Sequence, residues 1–144
     1  MERIQRADLN FQVVELIAKR STCARAHVGA LATREGRIIA TGYNGVPVGA
    51  PHCSLGTTCD CDKPCTRAIH AEANLIAFAA KFGTPLNNSE LWVNMSPCIK
   101  CAELIIQSGI KAVHYRIPYR DEAGLILLKQ AGIELLQEKE EYDI

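Results

Sequence analysis

The sequence has no surplus of charge of either sign, few aromatic residues and no long apolar run. Its 16 lysine and arginine residues balance 16 aspartate and glutamate residues, so the whole chain creates no field that attracts a nucleic acid or a membrane surface. A local basic pocket is still compatible with that balance. No segment approaches the roughly 18 consecutive apolar residues that cross a bilayer. The stretch MERIQRADLNF also lacks the apolar core of a signal peptide. We therefore expect a cytoplasmic protein with neither a nucleic acid nor a membrane as partner.

Cysteine, in contrast, is abundant for a chain of 144 residues. A disulfide framework is not expected without an export signal, and isolated buried thiols would be scattered along the sequence. The seven cysteines are grouped instead, and grouping of this kind is typical of metal sites. They are Cys23, a cluster of Cys53, Cys59, Cys61 and Cys65, and the C-x-x-C pair Cys98 and Cys101.

Apolar periodicity predicts four helices and five strands in the order α-β-β-α-β-α-β-α-β, within one domain over residues 1–144. Strands joined through helices favour a largely parallel α/β sheet with helices on both faces and an antiparallel hairpin at its start. Residues 44–67 show no period, and a connection this long inside a domain is usually functional. The predicted elements are a helix over 3–20, the hairpin HVGALAT and RIIATGY, a helix over 69–82, the strand LWVNM, a helix in PCIKCAELIIQSG, the strand KAVHY, a helix over 121–131 and the strand IELL.

Three side chains have the types and positions of a zinc site. Cys98 and Cys101 lie at the start of a predicted helix, where the helix dipole favours thiolates. Alone, this pair would also fit buried thiols or a redox pair. His70 starts the preceding helix, and in an α/β sheet such helix starts lie together at the carboxyl ends of the strands. One imidazole and two thiolates leave the fourth position of a tetrahedral zinc ion to water, as in catalytic sites.

Glu72 follows His70 by two residues and is not needed as a ligand. A carboxylate beside a metal-activated water can take up its proton and deliver it elsewhere. The pattern H-x-E over residues 70–72, followed by P-C-x-x-C over residues 97–101, is the signature of zinc-dependent nucleobase deaminases.

The segments RSTCARAHVGALATREGRIIATGYNGVPVGAPHC, CTRAIHAEANLIAFAA and SPCIKCAELIIQSGIKAVHY resemble deoxycytidylate (dCMP) deaminases. The resemblance implies hydrolysis of dCMP to dUMP and ammonia, which supplies dUMP for dTMP synthesis. It also implies a three-layer α-β-α cytidine-deaminase-like fold with a five-stranded mixed sheet. It further implies a homo-oligomer, commonly a hexamer, that dCTP and dTTP regulate, with Mg²⁺ accompanying the regulatory triphosphate.

The chemistry implied by the resemblance needs zinc and one carboxyl group. Zinc supplies an activated water for attack on C4 of cytosine. Glu72 would protonate N3 and then pass a proton to the departing amino group, which typically contributes about 10²- to 10⁴-fold in rate.

The substrate contacts are expected from the resemblance and from charge. Asn44 in GYNG would hydrogen-bond the sugar or the base, although Asn-Gly is also a tight-turn pair. A nucleotide phosphate requires a guanidinium group or equivalent donors, and many arginines are merely solvated. The candidates for the phosphate are Arg25, Arg116 and Arg120, and further contacts are expected from Ala71, Tyr115 and Tyr119.

Two additional sites follow from the same resemblance. A regulator site is expected at Gly42, Tyr43, Asn44 and Gly45. A second, structural zinc is expected to draw its ligands from the remaining cysteines, for which buried thiols are the alternative. The candidate ligands are Cys23, Cys53, Cys59, Cys61 and Cys65.

Several other functions share the zinc motif. One is a deaminase of another cytosine or guanine nucleoside or base, although free-cytidine deaminases tend to carry cysteine where His70 stands here. A tRNA-type or single-strand deaminase is disfavoured by zero net charge and by the lack of a basic stripe with aromatic residues. The last is a non-catalytic zinc-binding module in which Glu72 is only a solvated helix residue.

Overall fold

The computed structural model describes residues 1–53 and 67–139. Within these ranges, four helices and five strands follow one another in the predicted order, and the helices are a few residues shorter at each end than the periodicity indicates. The elements are α1 (Arg6–Ala18), β1 (Gly29–Arg34), β2 (Arg37–Tyr43), α2 (Ala71–Lys81), β3 (Glu90–Met95), α3 (Ile99–Gln107), β4 (Ala112–Ile117), α4 (Ala123–Gln130) and β5 (Glu134–Gln137).

The five strands form one mixed sheet in the order β2-β1-β3-β4-β5. Strand β1 lies between β2 and β3 and is antiparallel to both, whereas β3, β4 and β5 are parallel. The expectation of a largely parallel sheet therefore holds only for the second half of the chain. The five-stranded mixed sheet with flanking helices confirms the expected three-layer fold.

The β1–β2 hairpin closes through the two residues Glu35 and Gly36. Both have positive φ, 52° and 75°, which is the backbone of a type I′ turn. This turn matches the right-handed twist of the strands and explains why the residues between HVGALAT and RIIATGY end in Gly36.

The alternation of side chains along each strand divides the core between the two faces of the sheet. On one face, α1 packs Phe11 and Val14 against Leu31 and Trp92. On the other face, α2, α3 and α4 cover residues such as Leu91 and Val93, with Leu75, Ile105 and Leu128 from the helices. Among the described residues, none of the helices has both the length and the hydrophobicity to cross a membrane.

His114 of β4 connects β3 and the segment after β5 on the α1 face. Its ring stacks on Trp92 with the centroids 3.6 Å apart and the planes 4° from parallel. Nε2 lies 3.0 Å from a carboxylate oxygen of Glu90, and Nδ1 lies 3.2 Å from one of Glu138. The segment after β5 is thereby held to β3 through β4.

Strand β2 lies directly against the first turn of α2. A Cβ atom at Gly42 would lie 2.5 Å from the carbonyl oxygen of Ala71 and 2.7 Å from the amide nitrogen of Leu75. Real Cβ atoms do not approach so closely, so only glycine permits this contact. The close approach fixes the start of α2, and with it His70 and Glu72, against the end of β2.

Candidate metal centre and active site

His70, Cys98 and Cys101 converge where α2 and α3 begin. His70 is the N-cap residue of α2, Cys98 is the N-cap residue of α3, and Cys101 lies one turn into α3. Nδ1 of His70 is 3.4 Å from Sγ of Cys98 and 3.5 Å from Sγ of Cys101. All three atoms lie within 4.8 Å of one another. The two helix starts therefore bring the three predicted ligands together.

The distances fit a tetrahedral zinc ion. Bonds of about 2.0 Å to nitrogen and 2.3 Å to sulfur hold the nitrogen and sulfur atoms roughly 3.6 Å apart in a tetrahedron. The two observed nitrogen–sulfur distances agree with this value. One imidazole and two thiolates are also the donor set of a catalytic zinc site, which keeps a fourth position open.

The two thiols influence each other strongly. Hydrogen bonds with Cys101 and His70 lower the pKa of Cys98 to about 3. The pKa of Cys101 is raised because its hydrogen bond to Cys98 and its burial both favour the thiol. A bound divalent metal would favour ionisation of both thiols.

Glu72 lies in the first turn of α2 and is only 4% exposed. Burial raises the pKa of its carboxyl group, and a hydrogen bond with Cys101 opposes this effect in part. A raised pKa is the direction of shift that general acid–base carboxyl groups commonly show. The position next to Cys101, outside the ligand set, matches the predicted role.

A cavity of about 400 Å³ opens over this centre, and His70, Glu72 and Cys98 form its floor. The volume lies in the range of small-molecule sites. Five of the residues predicted to contact a substrate also line this cavity, namely Arg25, Asn44, Ala71, Tyr119 and Arg120.

Two predicted substrate contacts, Tyr115 and Arg116, do not line this cavity. Strand β4 continues to Ile117, beyond the predicted KAVHY, so its alternation decides where both side chains go. Tyr115 belongs to the core beneath the three helices. Arg116 lies on the α1 face, with its guanidinium carbon 4.3 Å from the centre of the Phe11 ring. Neither residue lies on the wall of this cavity, and their contact with a substrate stays a prediction of the sequence.

Two asparagines hold the segment over residues 26–29, which forms part of the cavity wall. Asn44 accepts a hydrogen bond from the Val28 amide at 2.8 Å and donates one to the Ala26 carbonyl at 2.9 Å. From the other side, Asn94 accepts from the Gly29 amide at 3.1 Å and donates to the His27 carbonyl at 3.0 Å. The two side-chain amides thus form the backbone hydrogen bonds that neighbouring strands would otherwise provide to this segment. Asn94 was missed from the sequence, although a polar residue within LWVNM was a signal for it.

Ser96 positions Tyr119 at the cavity. Its buried hydroxyl oxygen accepts a hydrogen bond from the Tyr119 amide at 2.6 Å, and its own amide donates to the Ile117 carbonyl at 2.9 Å. These hydrogen bonds hold the segment after β4 close to Cys98, so that Tyr119 and Arg120 line the cavity. Nothing in the local sequence pattern indicated this contact.

The segment GYNG separates two cavities. Asn44 lines the first, whereas Gly42, Tyr43 and Gly45 line a second cavity of about 530 Å³ between β2 and α2. The four residues predicted for a regulator site are therefore divided between the two.

The cysteines predicted for a second zinc are only partly described. Cys59, Cys61 and Cys65 lie outside the described residues. Cys23 is buried on the wall of the first cavity, and Sγ of Cys53 lies 3.9 Å from a guanidinium nitrogen of Arg67. Within residues 1–53 and 67–139, the one group of three or more close metal-ligating side chains is His70, Cys98 and Cys101.

Comparisons with known proteins agree with this geometry. Residues 5–117 match the sequence model of the cytidine and deoxycytidylate deaminase zinc-binding region. The chain is 42% identical over 138 residues to ComE operon protein 2 of Bacillus subtilis (strain 168), covering 95% of this chain and 73% of that protein. It is 34% identical over 158 residues to deoxycytidylate deaminase of Schizosaccharomyces pombe, covering 94% of this chain and 49% of the yeast protein, so it spans about half of that relative. A crystal structure of dCMP deaminase from the cyanophage S-TIM5, in complex with dCMP and dUMP, has a TM-score of 0.83 and 34% identity, covering 97% of this chain and all of that one.

Proposed function

The chain belongs to the zinc-binding cytidine and deoxycytidylate deaminase family, and from this premise we propose that it hydrolyses dCMP to dUMP and ammonia. The observation that carries the proposal is the convergence of His70, Cys98 and Cys101, with nitrogen–sulfur distances that suit zinc, beside a buried Glu72 in a ligand-sized cavity. His70, Cys98 and Cys101 would hold the zinc ion. Sequence relatives named deoxycytidylate deaminase and a related structure with dCMP and dUMP support the choice of substrate.

Bound zinc would activate water for attack on a ring carbon at neutral pH. Glu72 takes up the proton that water releases and delivers it to N3 of the cytosine ring. It then takes up the proton of the hydroxyl group now bound to C4 and delivers it to the amino group at C4. The C4–N bond breaks, ammonia leaves, and the oxygen of water becomes the C4 carbonyl of dUMP. The raised pKa of Glu72 suits a group that must both accept and donate.

The cavity wall offers contacts to the rest of the nucleotide. The Asn44 amide makes two hydrogen bonds to the backbone and retains one N–H and an acceptor lone pair for a sugar or a base. Arg25 and Arg120 lie on the same wall and are exposed enough to receive a phosphate from solvent. A guanidinium group pairs well with phosphate oxygens. We assign the phosphate to these two arginines, with Ala71 and Tyr119 as additional wall contacts.

Other features remain predictions of the sequence resemblance. Regulation by dCTP or dTTP with Mg²⁺ would use the GYNG segment, and the second cavity beside it offers space for a ligand. Assembly into a homo-oligomer, the single domain over residues 1–144, a cytoplasmic location and the supply of dUMP for dTMP synthesis also stay predictions. So does a second, structural zinc among Cys23, Cys53, Cys59, Cys61 and Cys65.

The proposed function is tested by ammonia release from dCMP, deoxycytidine, cytidine, guanine and tRNA. We expect a preference for dCMP, because the nucleoside lacks the phosphate with which Arg25 and Arg120 would pair. Equal turnover of dCMP and deoxycytidine would instead identify a nucleoside deaminase.

The ligand set is tested by metal analysis of Cys98→Ala. This variant should lose both zinc and activity. Lys100→Ala is the matched control, because Lys100 occupies the same turn, is exposed and forms an ion pair with Glu103. Undiminished zinc in Cys98→Ala would refute the assignment.

A further inference from the structure

The first turn of α4 lies in direct contact with the backbone that carries Cys98. A Cβ atom built on Gly124 would lie 2.2 Å from the carbonyl oxygen of Pro97, 2.8 Å from the carbonyl carbon of Cys98 and 2.9 Å from its oxygen. An ordinary contact between carbon and a carbonyl oxygen is about 3.3 Å or longer. Any side chain at Gly124 would therefore require a relative displacement of about 1 Å.

The Pro97–Cys98 backbone beside Gly124 is held in place by hydrogen bonds on both sides. Ser96 is pinned on both sides, through its amide to Ile117 and through its hydroxyl to Tyr119. The carbonyl oxygen of Cys98 accepts the first hydrogen bond of α3, from the Ala102 amide at 2.9 Å. A displacement could be absorbed only by moving Cys98 or by pushing α4 off the sheet.

Displacement of Cys98 would act directly on the metal centre. Its sulfur lies 3.4 Å from Nδ1 of His70, close to the distance that a tetrahedral zinc ion requires. Metal–ligand distances tolerate deviations of roughly 0.2 Å. A shift of the order needed to accept a Cβ atom at Gly124 exceeds that tolerance several-fold.

We propose that Gly124 is a positioning residue for the metal ligand Cys98, because its bare Cα lets α4 support the Pro97–Cys98 backbone in the geometry that binds zinc. This inference rests on the proposed function, since it takes zinc as the ligand of Cys98. It extends the metal centre to a helix that supplies none of its ligands.

The test is the zinc affinity of Gly124→Ala, measured by competition with a chelator. Alanine is the better helix former, so without the contact the substitution would leave α4 equally or more stable. We expect zinc affinity to fall by about 10- to 100-fold, as is typical for loss of an outer support of a metal site. Cobalt(II) substitution gives a second readout, because thiolate-to-cobalt absorption reports the coordination by Cys98 and should be altered.

Gly29→Ala is the matched control. A Cβ atom there would lie 2.3 Å from the Val14 carbonyl oxygen, an equally severe clash, but with α1 and away from the metal ligands. This variant should lose stability while its folded fraction keeps wild-type zinc affinity and an unaltered cobalt spectrum. Wild-type affinity and spectrum in Gly124→Ala would overturn the inference, as would an equal loss of affinity in both variants.

A measurement on the unaltered protein decides the matter if Gly124→Ala does not fold. Amide hydrogen exchange is compared between zinc-loaded and zinc-stripped wild-type protein. Removal of zinc should increase exchange in the first turn of α4, residues 123–127, together with the start of α3. Unchanged exchange in α4 would overturn the inference but leave the proposed function intact, whereas a wild-type protein that binds no zinc would overturn both.

Discussion

Asn94 holds the cavity wall through two hydrogen bonds, and its removal should weaken both the fold and substrate binding. The side chain is 8% exposed. Asn94→Ala removes the bond to His27, which contributes about 1 kcal/mol, and it leaves the buried Gly29 amide without its acceptor, for about 1–3 kcal/mol. The His27 carbonyl can turn to water, because His27 is exposed. We therefore expect a loss of about 2–4 kcal/mol in the free energy of unfolding.

The effect on function should appear in KM more than in kcat. The segment that Asn94 holds lines the cavity and follows directly on Arg25, the proposed phosphate contact. The metal ligands and Glu72 lie on α2 and α3 and keep their own supports. A roughly tenfold rise in KM for dCMP corresponds to a loss of about 1.4 kcal/mol in binding. Asn94→Asp should be intermediate, because it keeps the acceptor for Gly29 and loses only the donor to His27.

Urea unfolding and steady-state kinetics with dCMP measure the two effects. Asn74→Ala is the control for stability, since Asn74 makes one hydrogen bond to the Tyr43 carbonyl at an exposed site and should cost about 1 kcal/mol or less. If Asn94→Ala unfolds like this control and keeps the wild-type KM, the segment is held by other contacts and the reasoning fails.

Three further predictions follow from the site and from the α1 face. Glu72→Gln should keep zinc and lower kcat by about 10² or more, because an amide cannot carry the proton; near-normal turnover in a zinc-loaded variant would assign the proton transfer to another group. Arg120→Ala and Arg25→Ala should weaken turnover of dCMP, because a hydrogen bond to a charged group contributes about 1.5–3 kcal/mol, and barely change the poor turnover of deoxycytidine; an equal loss with both substrates would exclude a phosphate contact. His114→Phe keeps a ring against Trp92 but loses both carboxylate contacts, and it should lower the free energy of unfolding by about 1–2 kcal/mol, because both partners are one-third exposed. Urea unfolding identical to wild type would show that those contacts contribute nothing.

The metal centre was predictable because its signals are local. Cys98 and Cys101 are separated by one helical turn, and His70 and Glu72 share the start of one helix. The sequence therefore determines which side of each helix start these groups occupy. That the two helix starts meet follows from a general property of α/β sheets, in which helices begin at the carboxyl ends of strands.

The residues of the cavity wall were predictable only in part, because their positions depend on where strand β4 ends. Arg116 and Arg120 are equivalent candidates when the strand is thought to end at Tyr115. In the structure, β4 continues for two more residues, and the two arginines are no longer equivalent. The alternation of side chains along the strand places Arg116 on the α1 face, whereas Arg120 lies beyond the strand and lines the cavity. Ends of elements depend on pairing with neighbouring strands, which the local pattern does not contain.

The sequence by itself determined the order of helices and strands, the β1–β2 hairpin and the chemistry of the metal ligands. Each of these is encoded by spacing within a short segment, where periodicity, turn residues and helix starts act directly on the backbone. Tertiary structure alone decided that β1 lies between β2 and β3, that Asn94 replaces a strand for residues 27–29, and that Gly124 lies against Cys98. These contacts join segments far apart in the chain, and they are selected by the packing of the whole sheet and its helices rather than by any local preference.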